Sequence, residues 1–165
     1  MDEAAEAGAK IIVFPELCIT GYTCSDLFLQ DILLNSAKKA LVKIAEHTKN
    51  LDALVFVGVP IAVGGELYNA AAALNHGNIL GFTTKSFLPN YGEFYEMRQF
   101  RPGPKKAEKI LFGGKEIPFG PQLLFVENQM ANLIVSAEIC EDVWSPVPPS
   151  IEAAREGATV IVNCS

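Results

Sequence analysis

Apolar residues in this chain fall into short dense runs bounded by glycine, proline and asparagine, with longer helix-period stretches between them. Three of the runs are strand-like and each stops at a residue that can do chemistry: Ile11 to Pro15 at Glu16, Ile79 to Thr84 at Lys85, and Leu133 to Ile139 at Cys140. Open sheets place working residues where strands end and loops begin, so these three ends are the first candidates for a site.

The same pattern predicts the remaining elements. Asp2 to Ala7 reads as a helix closed by Gly8, and Lys10 to Phe14 as a buried strand. Ser25 to Lys49 reads as a helix with Leu27, Leu34, Leu41 and Ile44 among its apolar positions and a break near Asn35-Ser36. Ala53 to Ile61, Leu67 to Leu74 and the run ending at Lys85 form an antiparallel meander, with turns at Gly64-Gly65 and Asn75-His76-Gly77-Asn78. Tyr91 to Lys115, with Pro102, Pro104 and Gly113-Gly114, reads as a long surface loop. Gln122 to Val126 and Ala131 to Ile139 make a hairpin around Asn128-Gln129. A proline-rich bend, a short helix over Ile151 to Glu156 and a strand over Thr159 to Asn163 follow Cys140.

Helices alternating with strands predict a layered α/β fold. One internal echo supports it: Glu6-Ala7-Gly8-Ala9-Lys10-Ile11-Ile12-Val13 resembles Arg155-Glu156-Gly157-Ala158-Thr159-Val160-Ile161-Val162. Each copy reads as helix end, Gly-Ala cap and buried strand, as two related halves would.

Length and charge narrow the function classes. With 165 residues, half of them hydrophobic, the chain is sized for one domain with a substantial core. The net charge of −6 and the lack of a basic cluster interleaved with aromatics exclude a nucleic-acid footprint. The acidic start Met1-Asp2-Glu3 is unlike a signal peptide, and no apolar run approaches the ~20 residues of a membrane span, so a cytoplasmic protein is expected. Four cysteines in such a chain read as free thiols. Cys18 and Cys24 lack the C-x-x-C spacing and nearby histidine of a zinc site, and His47 and His76 sit in polar surroundings, so no metal is expected.

Taken singly, each candidate has a plain alternative. Cys140 is at a strand end and followed by Glu141-Asp142, where a helical turn would favour a thiolate, yet free cysteine is usually a small buried hydrophobe. Glu16, just after a buried run, is placed for proton transfer but can also face solvent. Lys85, followed by the apolar and aromatic stretch Ser86 to Tyr91, needs an anion unless its head reaches water. Together, a carboxylate, an ammonium and a thiol are the parts of a cysteine hydrolase.

Their motif context carries a resemblance. Phe14-Pro15-Glu16-Leu17-Cys18-Ile19-Thr20-Gly21-Tyr22, Lys85-Ser86-Phe87-Leu88-Pro89-Asn90-Tyr91 and Cys140-Glu141-Asp142-Val143-Trp144 resemble, in order and spacing, the Glu, Lys and Cys motifs of the nitrilase (carbon-nitrogen hydrolase) superfamily. Within it they are most similar to the glutaminase domains of glutamine-dependent NAD synthetases. The resemblance implies a four-layer αββα sandwich and a Glu16-Lys85-Cys140 triad that hydrolyses the amide of glutamine through a thioester. It implies a second glutamate supporting Lys85, with Glu93 the match by spacing and Glu96 the alternative. Tyr91, Glu141 and Trp144 match positions that line the glutamine pocket.

The resemblance also implies a larger setting. Such domains run beyond this length at both ends, and the first helix starts at Met1 without a cap while the last strand stops at Ser165, so an incomplete domain is expected. The hydrolysis needs no cofactor; ATP and deamido-NAD belong to a synthetase domain outside these residues. That domain, glutamine and further copies of the chain are the expected partners. Two other classes stay open: a carbon-nitrogen hydrolase for another amide or carbamoyl group, and a catalytically incomplete association module.

Overall fold

The computed structural model describes residues 1–130 and 132–165. In chain order it runs α1 (Asp2–Glu6), β1 (Ile11–Val13), a 3₁₀ segment (Tyr22–Leu29), α2 (Asp31–His47), β2 (Leu54–Val63), β3 (Glu66–Asn75) and β4 (Asn78–Thr84). A 3₁₀ turn (Glu96–Arg98), β5 (Glu108–Phe112), β6 (Lys115–Gly120), β7 (Phe125–Val126), β8 (Ile134–Glu138), a 3₁₀ turn (Cys140–Trp144), α3 (Pro149–Arg155) and β9 (Val160–Asn163) follow.

The strands form one sheet of order β1-β2-β3-β4-β6-β5 and a second of order β7-β8-β9. Period-two alternation sorts their side chains into layers. Val55, Val57, Val59 and Ile61 of β2, with Ala70, Ala72 and Leu74 of β3, face the apolar stripe Ala37, Leu41 and Ala45 of α2. Phe56, Ala71 and Ala73 point the other way and meet Val135, Ala137 and Val162 of the second sheet. α3 covers the far side of that sheet, with Ala153 buried. The order is helix, sheet, sheet, helix, the four layers the resemblance implies.

The two echoed segments play matching parts. α1 and α3 each end on a glycine with positive φ, Gly8 at 90° and Gly157 at 107°. In each, the next alanine donates back five residues into the helix, Ala9 to Ala4 and Ala158 to Ala153, both at 2.9 Å. Each cap then delivers a strand that pairs in parallel, β1 with β2 in one sheet and β9 with β8 in the other.

Three expectations need correction. The predicted helix from Ser25 is two pieces, because Ser25 takes φ 51° and leaves helical geometry; α2 starts at Asp31 and runs unbroken through Asn35-Ser36. Leu27 lies outside α2 and is 51% exposed. The predicted loop from Tyr91 to Lys115 contains β5, which pairs with β6 around Gly113-Gly114 from Glu108↔Phe119 to Phe112↔Lys115. Its signal was hidden because an edge strand buries only alternate residues, here Ile110 and Phe112, and leaves Glu108, Lys109 and Leu111 exposed. The predicted hairpin before Cys140 shrinks to Phe125↔Val135 and Val126↔Ile134, with Gln122 outside it at φ 58°. Ala131, the predicted start of its returning strand, lies outside the described residues.

Candidate active site

Glu16 is placed by a close approach of backbone to backbone. After β1 the chain turns at Leu17, φ 49°, and lies across β2, where the Ile19 amide donates to the Gly58 carbonyl at 3.2 Å. A Cβ on Gly58 would sit 2.7 Å from the Glu16 carbonyl carbon and overlap Leu17 N and Pro15 O. Only a residue without a side chain lets this segment settle there.

Lys85 and Asn69 meet Glu16 from below. Lys85 N donates to Asn69 O at 2.9 Å, so the two stand opposite each other on adjacent antiparallel strands. By alternation their side chains share the inter-sheet face with Ala71 and Ala73. Lys85 Nζ and Asn69 Nδ2 both donate to Glu16 Oε1, each at 2.6 Å. Lys85 Nζ also donates to Glu96 Oε1 at 2.7 Å, and that oxygen accepts from Tyr22 Oη at 2.7 Å.

Cys140 arrives from the second sheet, two residues beyond Glu138 at the end of β8, with φ 44°. Asn163 at the end of β9 holds its backbone: Oδ1 accepts from Cys140 N at 3.1 Å and Nδ2 donates to Cys140 O at 3.4 Å. Asp142, fully buried, joins this turn to the lysine strand. Its Oδ1 accepts from Ser86 N and Phe87 N, both at 2.9 Å, and its Oδ2 from Ile139 N at 3.0 Å. One carboxylate therefore ties the Cys140 turn to the residues that follow Lys85.

The electrostatics follow from this burial. Burial pulls the Lys85 ammonium toward its neutral form, but Glu16 and Glu96 outweigh it, and its pKa lies above the ordinary value. Burial raises the Glu96 carboxyl despite the lysine, and burial together with the bond to Glu96 raises the Tyr22 phenol. Burial likewise raises the Cys140 thiol; the Ser165 side chain and Lys85 oppose it, and the Glu16 carboxylate adds to it. Asp142 is pushed up to about 6 by burial, against the three backbone N–H groups that favour its ion. At neutral pH Cys140 is thus a thiol beside a carboxylate, and needs a base before it can attack.

Of the residues expected from sequence, Glu16, Lys85 and Cys140 converge. Glu93 does not join them. It is exposed, and Glu96, 5% exposed, occupies the place beside Lys85. The reason is the 3₁₀ turn at Glu96–Arg98, whose first residue is turned inward while Tyr91 to Glu93 run along the surface. Tyr91 Oη donates to Glu141 at 2.9 and 3.0 Å, so these two meet at the rim, and Trp144 ends the Cys140 turn 79% exposed. Asn69, Asp142, Asn163 and Tyr22 also belong to the site, and sequence reading did not assign them roles. The spacing Glu16 to Tyr22 inside one motif, and Cys140 to Asp142 inside another, held the available signal.

A cavity of about 770 Å³ opens elsewhere, at the start of β1 and β2 beside the β7–β8 hairpin. It is lined by Lys10, Asp52, His76, Leu80, Phe125 and Met130 among others and by none of Glu16, Lys85 and Cys140, so it is separate from the place where those three converge. Among the described residues no group of three His, Cys, Asp or Glu is placed to hold a metal, and no helix is long and apolar enough to cross a membrane.

Comparison with known proteins gives a consistent result. Residues 1–165 match the carbon-nitrogen hydrolase family. The glutamine-dependent NAD(+) synthetase of Mycobacterium tuberculosis is 42% identical over 96% of this chain and 23% of its own length. That of Thermotoga maritima is 39% identical over 98% of the chain and 25% of its own length. The crystal structure of a glutamine-dependent NAD(+) synthetase from Cytophaga hutchinsonii superposes with a TM-score of 0.84 at 34% identity, covering 99% of this chain and 26% of that one. The chain therefore spans about a quarter of the length of these relatives.

Proposed function

Because this chain belongs to the carbon-nitrogen hydrolase family, we propose that it hydrolyses the side-chain amide of glutamine, supplying ammonia for glutamine-dependent NAD synthesis. The convergence of Lys85 and Glu16 at 2.6 Å beside the Cys140 thiol carries this reading. The likeness to glutamine-dependent NAD(+) synthetases supports the choice of glutamine.

Cys140 gives its proton to Glu16 as Sγ bonds to the amide carbon. The carbonyl electron pair moves onto oxygen, where the Lys85 ammonium stabilises the charge. When the adduct collapses, the C–N bond breaks and Glu16 returns the proton to nitrogen, so ammonia leaves and a thioester remains. Water, giving a proton to Glu16, then attacks the thioester; the C–S bond breaks, the sulfur regains that proton and glutamate departs. Glu96 keeps Lys85 charged, and Tyr91, Glu141 and Trp144 meet the substrate at the rim. Ammonia passes to a synthetase domain, where ATP and deamido-NAD are used.

Ammonia release from glutamine and from simple aliphatic amides tests this reading, together with mass spectrometry after exposure to a glutamine-like electrophile. Preference for glutamine and an adduct on Cys140 are expected. Equal rates on simple amides would assign the site to another substrate of the family, and no adduct would remove Cys140 as nucleophile.

A further inference from the structure

Asn69 is 1% exposed, and its amide is only half satisfied. Nδ2 donates to Glu16 Oε1 at 2.6 Å, while Oδ1 has no partner among the described residues. A buried carbonyl oxygen left unpaired costs on the order of 1–3 kcal/mol, so an amide held in such a place calls for a reason. A hydrophobic residue of similar size would avoid the cost, and the neighbouring positions of β3, Ala70 to Ala73, are all apolar.

The reason lies in how Glu16 is held. Both donors, Lys85 Nζ and Asn69 Nδ2, go to Oε1, and the Cys140 thiol is a further side chain within hydrogen-bonding reach of this carboxylate. The terminal torsion of a glutamate is broad and roughly two-fold, so one donor leaves the carboxylate free to swing. Two donors from neighbouring strands, converging on one oxygen, fix it. Lys85 alone is a poor anchor because it is shared with Glu96.

Resting on the reading of Glu16 as general base, we propose that Asn69 is a positioning residue: with Lys85 it pins Oε1 and presents Oε2 to the Cys140 thiol as the proton acceptor. The balance of the step is simple. The Sγ–H bond breaks, an Oε2–H bond forms, and the sulfur electron pair goes to the substrate carbon. Asn69 exchanges no proton and touches no substrate.

The other groups facing Glu16 are Lys85 after β4, Tyr22 from the first 3₁₀ segment, Glu96 from the second, Cys140 from the second sheet and Cys164 after β9. Substitution at position 69 changes none of them, so a shifted pH profile reports on the Asn69 bond.

The test is amide hydrolysis by the full chain, as kcat and KM, from about pH 5 to about pH 9. For Asn69→Ala the expected result is a kcat lower by about tenfold or more with KM within about twofold, as for loss of a hydrogen bond to a charged group. Its acidic limb moves to higher pH, because an ionised carboxylate that loses a donor is less stable. Asn69→Asp keeps the shape and so guards against a folding failure of the alanine variant. Its introduced carboxyl can donate to Oε1 only while the pair shares a proton, so its rate falls with rising pH where the parent's does not. A purely structural role creates no such falling limb. An Asn69→Ala profile equal to the parent's, or an Asn69→Asp profile without that fall, overturns the inference while leaving the glutaminase reading intact. A parent active only on another amide ends the glutamine assignment, and the same comparison on that amide decides Asn69. A parent that hydrolyses no amide overturns both.

Discussion

The Lys85 ammonium lies 2.7 Å from the Glu96 carboxylate, with the lysine side chain wholly out of solvent and the glutamate 5% exposed. With Glu16 on its other side at 2.6 Å, the lysine bridges two buried carboxylates. Both anions favour the charge on this buried lysine against its desolvation, so losing either removes part of what holds it.

Removing Glu96 should therefore be costly in a way that removing Glu93 is not. Breaking a buried pair typically costs about 3–5 kcal/mol, and the surviving Glu16 contact places Glu96→Ala near the lower end. Glu93→Ala, on an exposed residue, should stay within about 0.5 kcal/mol. Urea unfolding of the two variants measures the difference. Equal losses would mean that Glu96 is not the lysine's partner.

Cys140→Ala should abolish amide hydrolysis and leave unfolding within about 1 kcal/mol of the parent, since the side chain is half-buried and makes no stabilising ion pair. The backbone offers a second reading. At φ 44° a side chain costs about 1–2 kcal/mol, so Cys140→Gly should melt higher than Cys140→Ala. Thermal unfolding of both, beside an ammonia assay, checks the pair; an alanine variant that still released ammonia at the parent's rate would remove the nucleophile assignment.

Asp142 gives a pH signature. Its carboxyl is raised in the fold, to about 6, above its ordinary 3.8. The folded state binds the proton more tightly, so this contribution is present at low pH and is lost as pH rises between about 4 and 6. Asn at this position does not titrate. The stability gap between the parent and Asp142→Asn should narrow with rising pH across that window, by up to about 3 kcal/mol. Denaturant unfolding at several pH values tests it, and a gap that widened instead would mean that the fold holds Asp142 as its ion, with the three backbone N–H groups outweighing burial.

Gly58→Ala forces a methyl group into the Pro15-Glu16-Leu17 backbone. Overpacking of this kind costs about 1–3 kcal/mol, and relief can come only by moving the Glu16 segment off β2. Activity should then fall more steeply than stability, because about 1 Å at a base can cost on the order of a hundredfold. Comparing kcat with the melting temperature decides whether Gly58 serves the site or only the sheet; a variant with parental kcat would show that the segment does not shift.

Much of this was legible along the chain. The runs ending at Glu16, Lys85 and Cys140 announce strands because burial on both faces needs continuous apolar residues, and motif spacing singled out the three chemical groups. The Gly-Ala caps after α1 and α3 were visible because a left-handed cap is a local need met by a local residue. β5 was not visible, since an edge strand half covered by its neighbour looks like polar loop. Asn69 was hidden inside a strand whose alternation says which face it takes but not what waits there.

The choice between Glu93 and Glu96 marks the boundary. Periodicity along the chain specifies the layered α/β architecture and the strand ends that carry carboxylate, ammonium and thiol, and the cost of burying an unpaired charge calls for an anion near Lys85; that a second glutamate also supports the lysine is implied by the family resemblance alone. Packing selects Glu96 and not Glu93 as the second carboxylate beside Lys85, sets Asn69 and Lys85 on one oxygen of Glu16, and joins the thiol's turn to the lysine's strand through Asp142. Those contacts join residues 11 to 69 positions apart along the chain. Their partners are chosen by how two sheets and a 3₁₀ turn pack, and no local pattern carries that information.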